Sequence, residues 1–228
     1  MSAERSPETS PGSTLGSGTG SSAGRRVPTQ ERSRRKVERI LDAAARLVVE
    51  HGVDALTTRD IAATAKVPVA SLYQYFSDKD DVLLALAERD MAEMDAQVAE
   101  DLGALERPTV AEMVATTMRA FVTVYHRRRA FVEIYLRGRS NAAVRHFGRE
   151  HNRRVAQSLF DFALAAGLAR PELTPAMALL AVEVGDRVFQ LAFEHDPDGD
   201  PVLIEEGITM VTAYLERYTD PARSGAAS

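Results

Sequence analysis

Residues 56–80 read Leu56-Thr57-Thr58-Arg59-Asp60-Ile61-Ala62-Ala63-Thr64-Ala65-Lys66-Val67-Pro68-Val69-Ala70-Ser71-Leu72-Tyr73-Gln74-Tyr75-Phe76-Ser77-Asp78-Lys79-Asp80. Thr57-x-x-Asp60 is a capping-box-like pair that starts a short helix reaching about Ala65. Pro68 is suited to opening a second, brief helix, because its missing N–H needs no partner there. That helix ends near Tyr75. Two short helices joined by a tight turn form a helix-turn-helix. Leu56, Ile61, Ala62, Ala65, Val67, Leu72 and Phe76 supply its small core. Leu72 and Phe76 are spaced i, i+4 and point inward, which sends Ala70, Tyr73 and Gln74 outward. The unit is too small to bury its own apolar face. A preceding helix, about Glu31 to Glu50, covers it with Ile40, Ala44, Leu47 and Val48, and Gly52 is the expected stop.

The remainder continues in helices, and no segment alternates as a half-buried strand would. Ser77-x-x-Asp80 is the expected start of a long helix to about Leu102-Gly103. Thr109-x-x-Glu112 caps one through about Arg127, and a shorter helix covers about Ala130 to Leu136. Ser140 or Asn141 starts another to about Ala166 before Gly167. Thr174-Pro175 opens a helix to about His195, and Asp200-Pro201 opens the last, to about Tyr218. The expectation is an all-α chain of about nine helices. Residues 1–28 form a low-complexity tail expected to be disordered. Residues 29–78 form the three-helix head, 79–219 a larger helical domain, and 220–228 an end expected to be flexible.

Composition narrows the function. The chain has 228 residues, 45% apolar and 27% charged, as an ordinary globular protein does. Cysteine is absent, which excludes disulfides, thiolate metal ligands and thiol nucleophiles. The formal net charge is −5, but the flank holding Arg25, Arg26, Arg32, Arg34, Arg35, Lys36 and Arg39 is locally basic. It suits a phosphate or minor-groove arm and suits a solvated segment equally well. No apolar run is long enough to span a bilayer, and Met1 to Gly24 lacks the apolar core of a signal peptide, so a cytoplasmic protein without membrane contact is expected. The five histidines fall in no metal-ligand spacing, and no nucleophile elbow, Walker loop or dinucleotide fingerprint occurs. No catalytic residue, metal or cofactor is expected.

From Ile40 to Leu84 the chain resembles the DNA-binding domain of the TetR family of transcriptional regulators. The resemblance rests on Thr58-x-x-Ile61-Ala62, then Leu72-Tyr73-x-Tyr75-Phe76-x-x-Lys79 leading into a long helix. It implies that the helix from about Val69 to Tyr75 enters the major groove of double-stranded DNA. Arg59 resembles a base-reading position, best suited to guanine. Thr58, Tyr73, Tyr75 and Lys79 resemble phosphate contacts, and Ser71 suits either role. Val69 and Ala70 suit a thymine methyl, and Gln74 suits adenine or the backbone. Two residues depart from the pattern. Lys66 stands where Gly is usual in the turn, and Pro68 replaces a Ser or Thr cap.

The resemblance further implies a homodimer on a palindromic operator and an unidentified small-molecule effector, with repression as the default mode. The last two helices are apolar around most of their circumference, as helices buried on two sides are. Met177, Leu180, Val184, Val188, Leu191, Ile204, Ile208, Val211 and Leu215 are the candidate dimer residues. Met113, Thr116, Thr117, Phe121, Tyr125, Ile134, Tyr135, Phe160, Val184 and Phe189 are candidates for a ligand pocket or for plain core. Arg127, Arg128, Arg129, Arg137, Arg139, Arg145, Arg149, Arg153 and Arg154 form either a site for an anionic or acyl-carrier-linked effector or a solvated face. The competing function is a helical protein-interaction module that keeps the head without specific DNA binding.

Overall fold

The computed structural model describes residues 26–138 and 141–219. Among these, nine α-helices occur: α1 (Arg26–His51), α2 (Thr58–Thr64), α3 (Val69–Leu72), α4 (Lys79–Gly103), α5 (Val110–Arg127), α6 (Arg129–Phe131), α7 (Ala142–Ala165), α8 (Pro175–Ala192) and α9 (Pro201–Glu216). A π-helical turn, Val132–Leu136, continues α6. Extended pairing among the described residues is limited to one bridge, Ala169 with Thr219. Arg25, Arg139, Ser140 and the end from 220 lie outside the described residues, as does residue 1–25 of the expected tail. Residues 26–28 of that tail instead form the first turn of α1, where Pro28 costs no hydrogen bond.

The chain divides into two compact units, residues 1–35 and 36–228. Within the first, Glu31 accepts hydrogen bonds from Arg34 and Arg35, which hold its carboxyl below the usual range. The second contains the head from Lys36 onward and all the later helices.

Helix starts follow from local side chains. Thr57, Thr109, Asn141, Thr174 and Asp200 each accept a hydrogen bond from a backbone N–H in the first turn that follows. Thr109 and Glu112 complete a reciprocal capping box. Two starts differ from expectation. Pro68 is the N-cap of α3 rather than its first residue, and its carbonyl accepts from Ser71 and Leu72. The cap of α4 is Asp78, not Ser77. Its carboxylate takes the Asp81 N–H at 2.9 Å, while the Asp81 carboxylate takes the Ser77 N–H at 2.9 Å. A carboxylate is the stronger acceptor, so the register moves by one residue.

The end of α2 sets the head's turn. Lys66 N–H donates to the Ala63 carbonyl and Val67 N–H to the Ala62 carbonyl, which is the Schellman arrangement with Lys66 at φ 54°. The same arrangement ends α7, where the residue in that position is Gly167 at φ 66°. A side chain in this left-handed conformation is strained. Lys66→Gly is therefore expected to stabilise the protein by up to about 1 kcal/mol, the relief being partly offset by glycine's looser unfolded state. Urea denaturation checks the sign. A destabilisation above that size would show that the turn is not strained.

The larger helices pack around α4 and α5. Helix α4 lies against α5 and α7, α7 against α8, and α9 against both α5 and α8. Gly207 permits the last of these contacts, because a Cβ there would stand 2.5 Å from Val188 Cγ1. With Gly207 facing α8, the stripe Ile204, Ile208, Val211 and Leu215 turns into the core. No helix among the described residues is long and apolar enough to cross a membrane.

Candidate functional site

The expected core of the head is buried throughout: Leu56, Ile61, Ala62, Ala65, Val67, Leu72 and Phe76. That packing pushes one face of α2 and α3 outward. Arg59, Val69, Ala70 and Gln74 are exposed, Tyr73 is 53% exposed, and Thr58 and Ser71 are half-exposed. The Thr58 and Tyr73 hydroxyls lie 3.0 Å apart in a hydrogen bond, which joins the start of α2 to the end of α3. Arg59 pairs with no carboxylate among the described residues. Lys79 reaches the Asp54 carbonyl at 3.5 Å, a marginal hydrogen bond. Tyr75 differs from the others. It is half-buried against the core, with Lys36 Nζ 5.9 Å from its ring centroid. Its ring serves packing.

A charged network ties α1 to the helices behind it. Arg89 on α4 pairs with Asp42 at 2.8 Å and Glu38 at 3.4 Å on α1, and with its neighbour Asp90 at 3.3 Å. From the corner after α5, Arg128 approaches Asp90 at 3.7 Å and Glu93 at 2.5 Å, and Arg127 pairs with Glu93 at 3.4 Å. Asp90 is 1% exposed. Burial pushes its carboxyl up to about 6, against the pull of Arg89 and Arg128.

A raised carboxyl means that the folded state binds this proton more tightly than the unfolded chain. The stabilisation is then complete below about pH 4 and is lost as pH rises through about 6. Asp90→Asn removes the cost of ionising a buried acid, while Arg89 keeps Asp42 and Glu38 and Arg128 keeps Glu93. It is expected to raise stability by about 1–3 kcal/mol near pH 8 and by little near pH 4. Thermal melts at the two pH values check this, and a destabilised variant near pH 8 contradicts it.

A cavity of about 90 Å³ lies between α5, α7, α8 and α9. Met113, Thr117, Phe121, Tyr125, Phe160 and Phe189, among the candidates for a pocket or plain core, line it. Ile134, Tyr135 and Val184 do not. Ile134 is packed in the core, and Val184 sits half-buried one residue before the lining Gly185. Tyr135 stands behind the wall, its ring against Gly148, where an added Cβ would be 2.3 Å away, and its hydroxyl 3.4 Å from Asp186. Thr116 is not at the wall either. Sequence reasoning missed Asp186, which does line the cavity. Its signal was present: Val182, Gly185, Asp186 and Phe189 share one helical face, so an acid there points where the apolar residues point.

The candidate dimer residues divide by burial. Leu180 and Leu191 are exposed, and Met177 and Val184 half-exposed. Val188, Ile204, Ile208, Val211 and Leu215 are buried in the protomer's own core. The apolar groups that α9 exposes are instead Val202, Leu203 and Met210. The arginine series is dispersed over ion pairs. Besides Arg127 and Arg128, Arg129 pairs with Asp198, Arg137 with Glu133 and Arg153 with Glu150. Arg145 and Arg149 are exposed, and Arg154 lies over the Phe147 ring.

Two family models match the chain. Residues 40–86 match bacterial regulatory proteins of the tetR family, and residues 109–215 match the tetracyclin repressor-like C-terminal domain. A TetR-family transcriptional regulator from Streptomyces coelicolor, of known structure, is 31% identical with a TM-score of 0.61, the match covering 80% of this chain and 99% of that one. The transcriptional repressor AcnR of Corynebacterium diphtheriae is 39% identical over 75 residues, 33% of this chain and 39% of that protein. A fatty acid metabolism regulator protein of Bacillus subtilis is 31% identical over 85 residues, 37% and 43% of the two chains. The chain thus spans about two fifths of the length of these curated relatives.

Proposed function

The chain belongs to the TetR family of bacterial regulatory proteins, and from that membership we propose that it is a sequence-specific DNA-binding repressor, dimeric and responsive to a small molecule. The family is one of regulators rather than enzymes. The observation that carries the reading is the outward face of the head. Arg59 on α2 and Tyr73 and Gln74 just past the end of α3 are exposed together, with the Thr58–Tyr73 hydrogen bond fixing one element against the other. A guanidinium beside an aromatic hydroxyl and an amide suits base edges and phosphates at once.

One such face reads few base pairs. A two-fold dimer doubles the contact and requires half-sites one helical turn, about 34–36 Å, apart or a multiple of it. The exposed Leu180, Leu191, Leu203 and Met210 on α8 and α9 support such a dimer, since exposed leucines and methionines on packed neighbouring helices favour burial against a partner. The effector reading rests on the inner cavity, whose wall includes α5. The corner after α5 carries Arg127 and Arg128 to α4, and Arg89 on α4 reaches α1. A ligand that favours one setting of α5 over another shifts the head through that network, with a coupling of typically about 1–3 kcal/mol.

Titration of arbitrary duplex DNA at several salt concentrations separates this function from that of a protein-interaction module. A DNA-binding protein is expected to lose affinity steeply as salt rises, by a log–log slope of about −0.9 for each phosphate neutralised. A flat or absent response favours the interaction module.

A further inference from the structure

The cavity wall is built almost wholly of hydrocarbon and aromatic rings, yet it holds one hydroxyl without a hydrogen-bond partner and one carboxylate without a counter-ion. Thr117 is 8% exposed, and its Oγ1 is buried without a hydrogen-bond partner. Asp186 is held by neutral groups alone. Gln190 Nε2 donates to its Oδ2 at 2.8 Å, the Tyr135 hydroxyl approaches the same atom at 3.4 Å, and Asn152 adds a side-chain hydrogen bond. No basic side chain pairs with Asp186 among the described residues. Burial pushes its carboxyl up, and the neighbouring Glu183 pushes it the same way. A half-buried acid set in an apolar wall, with no cation beside it, favours a positively charged partner.

The rings beside it suit a cation as well. Phe121 and Phe189 have centroids 5.9 Å apart, and Tyr125 meets Phe189 edge-on at 5.3 Å. Aromatic faces attract ammonium groups and bury alkyl chains equally readily. An anionic effector finds the opposite. It would bring a second negative charge to Asp186, and no arginine is among the residues that line this cavity.

We propose that the cavity takes a lipophilic amine, its protonated nitrogen paired with the Asp186 carboxylate and its hydrocarbon part against Phe121, Tyr125 and Phe189. The Thr117 hydroxyl provides a second polar point on the wall. This rests on the reading of the cavity as the effector site, and it adds the sign of the ligand's charge. Asp186 then has two roles: it selects cations, and it links the ligand to Tyr135 on the π-helical turn after α6.

The test is calorimetric titration of the full chain with octylamine, octanol and octanoate, which share one alkyl chain and differ in head group. Octylamine is expected to bind at least about tenfold more tightly than the other two, as a charge-assisted contact in a dry site does. Asp186→Asn is expected to remove that preference and bring octylamine to the level of octanol, with a cooperative melt showing that the variant is folded. Octanoate or octanol binding as tightly as octylamine overturns the proposal, as does an Asn variant that keeps the amine preference.

Gly185→Leu distinguishes this failure from that of the cavity reading itself. Gly185 lines the cavity and a Cβ there meets no atom within 4 Å, so the substitution starts from open space at the wall. It is expected to abolish binding of all three compounds. Octylamine binding that survives Gly185→Leu overturns the cavity as the site, whatever the head-group preference.

Discussion

Arg59→Ala combined with Tyr73→Ala is expected to lower affinity for the best duplex by about a hundredfold or more, the sum of one lost base contact and one lost phosphate contact. The two substitutions act differently when made singly. Without Arg59, a bidentate contact worth about 1–3 kcal/mol goes, and with it the preference at one base pair of each half-site. Tyr73→Phe keeps the ring and removes the hydroxyl that Thr58 shares, so affinity falls evenly across sequences and the preferred sequence stays the same. Both side chains are exposed, and the buried core of the head lies elsewhere, so the melting transition should move little. Fluorescence anisotropy with matched and mismatched duplexes measures all three variants. Unchanged binding by the double variant removes this face from the interface.

Leu180→Glu combined with Met210→Glu is expected to convert the dimer to a monomer. The two side chains are 51% and 52% exposed in the protomer, on α8 and α9, so an isolated subunit accepts the carboxylates at little cost. In a dimer built on these helices each would become a buried, unpaired charge, repeated by the two-fold axis. That costs several kcal/mol per site and exceeds what a moderate interface supplies. Operator affinity should fall by about a hundredfold or more as well, because a lone head holds only one half-site. Sedimentation of the variant gives the oligomeric state. A variant that remains dimeric places the interface on another surface.

The head was legible in the sequence because its determinants are local. Thr57, Leu72 and Phe76 fix helix starts and inward faces within a few residues, and the strained position at Lys66 is visible as a side chain where the turn needs a left-handed residue. The start of α4 was ambiguous because Ser77-x-x-Asp80 and Asp78-x-x-Asp81 both fit a cap, and only the competition between hydroxyl and carboxylate decides. Helix α8 ends at Ala192 rather than near His195 for a reason outside its own sequence. The Ala192 carbonyl accepts from Asp200 N–H, and Gly199 packs its backbone on the Phe193 ring.

The faces of α9 were illegible in the same way. A helix apolar on both sides does not declare which side meets the chain's own core. The close approach of Gly207 to Val188 decides it, and that contact joins two helices. Asp90 and Asp186 escaped notice because acids on long helices are usually solvated. The spacing of Asp90 from Leu86 and Met94 marks it as a member of a buried stripe, and that of Asp186 from Val182 and Phe189 as a member of the cavity-lining face. The π-helical turn at Val132–Leu136 has no local signature in residue type.

Selection of bound duplex from a random pool by the purified full chain tests the central claim most directly. The account predicts an enriched inverted repeat, its half-sites one helical turn or a multiple apart, with a guanine in each half-site whose enrichment disappears for Arg59→Ala. Recovery of no sequence above the starting pool, at salt low enough for binding, would contradict it.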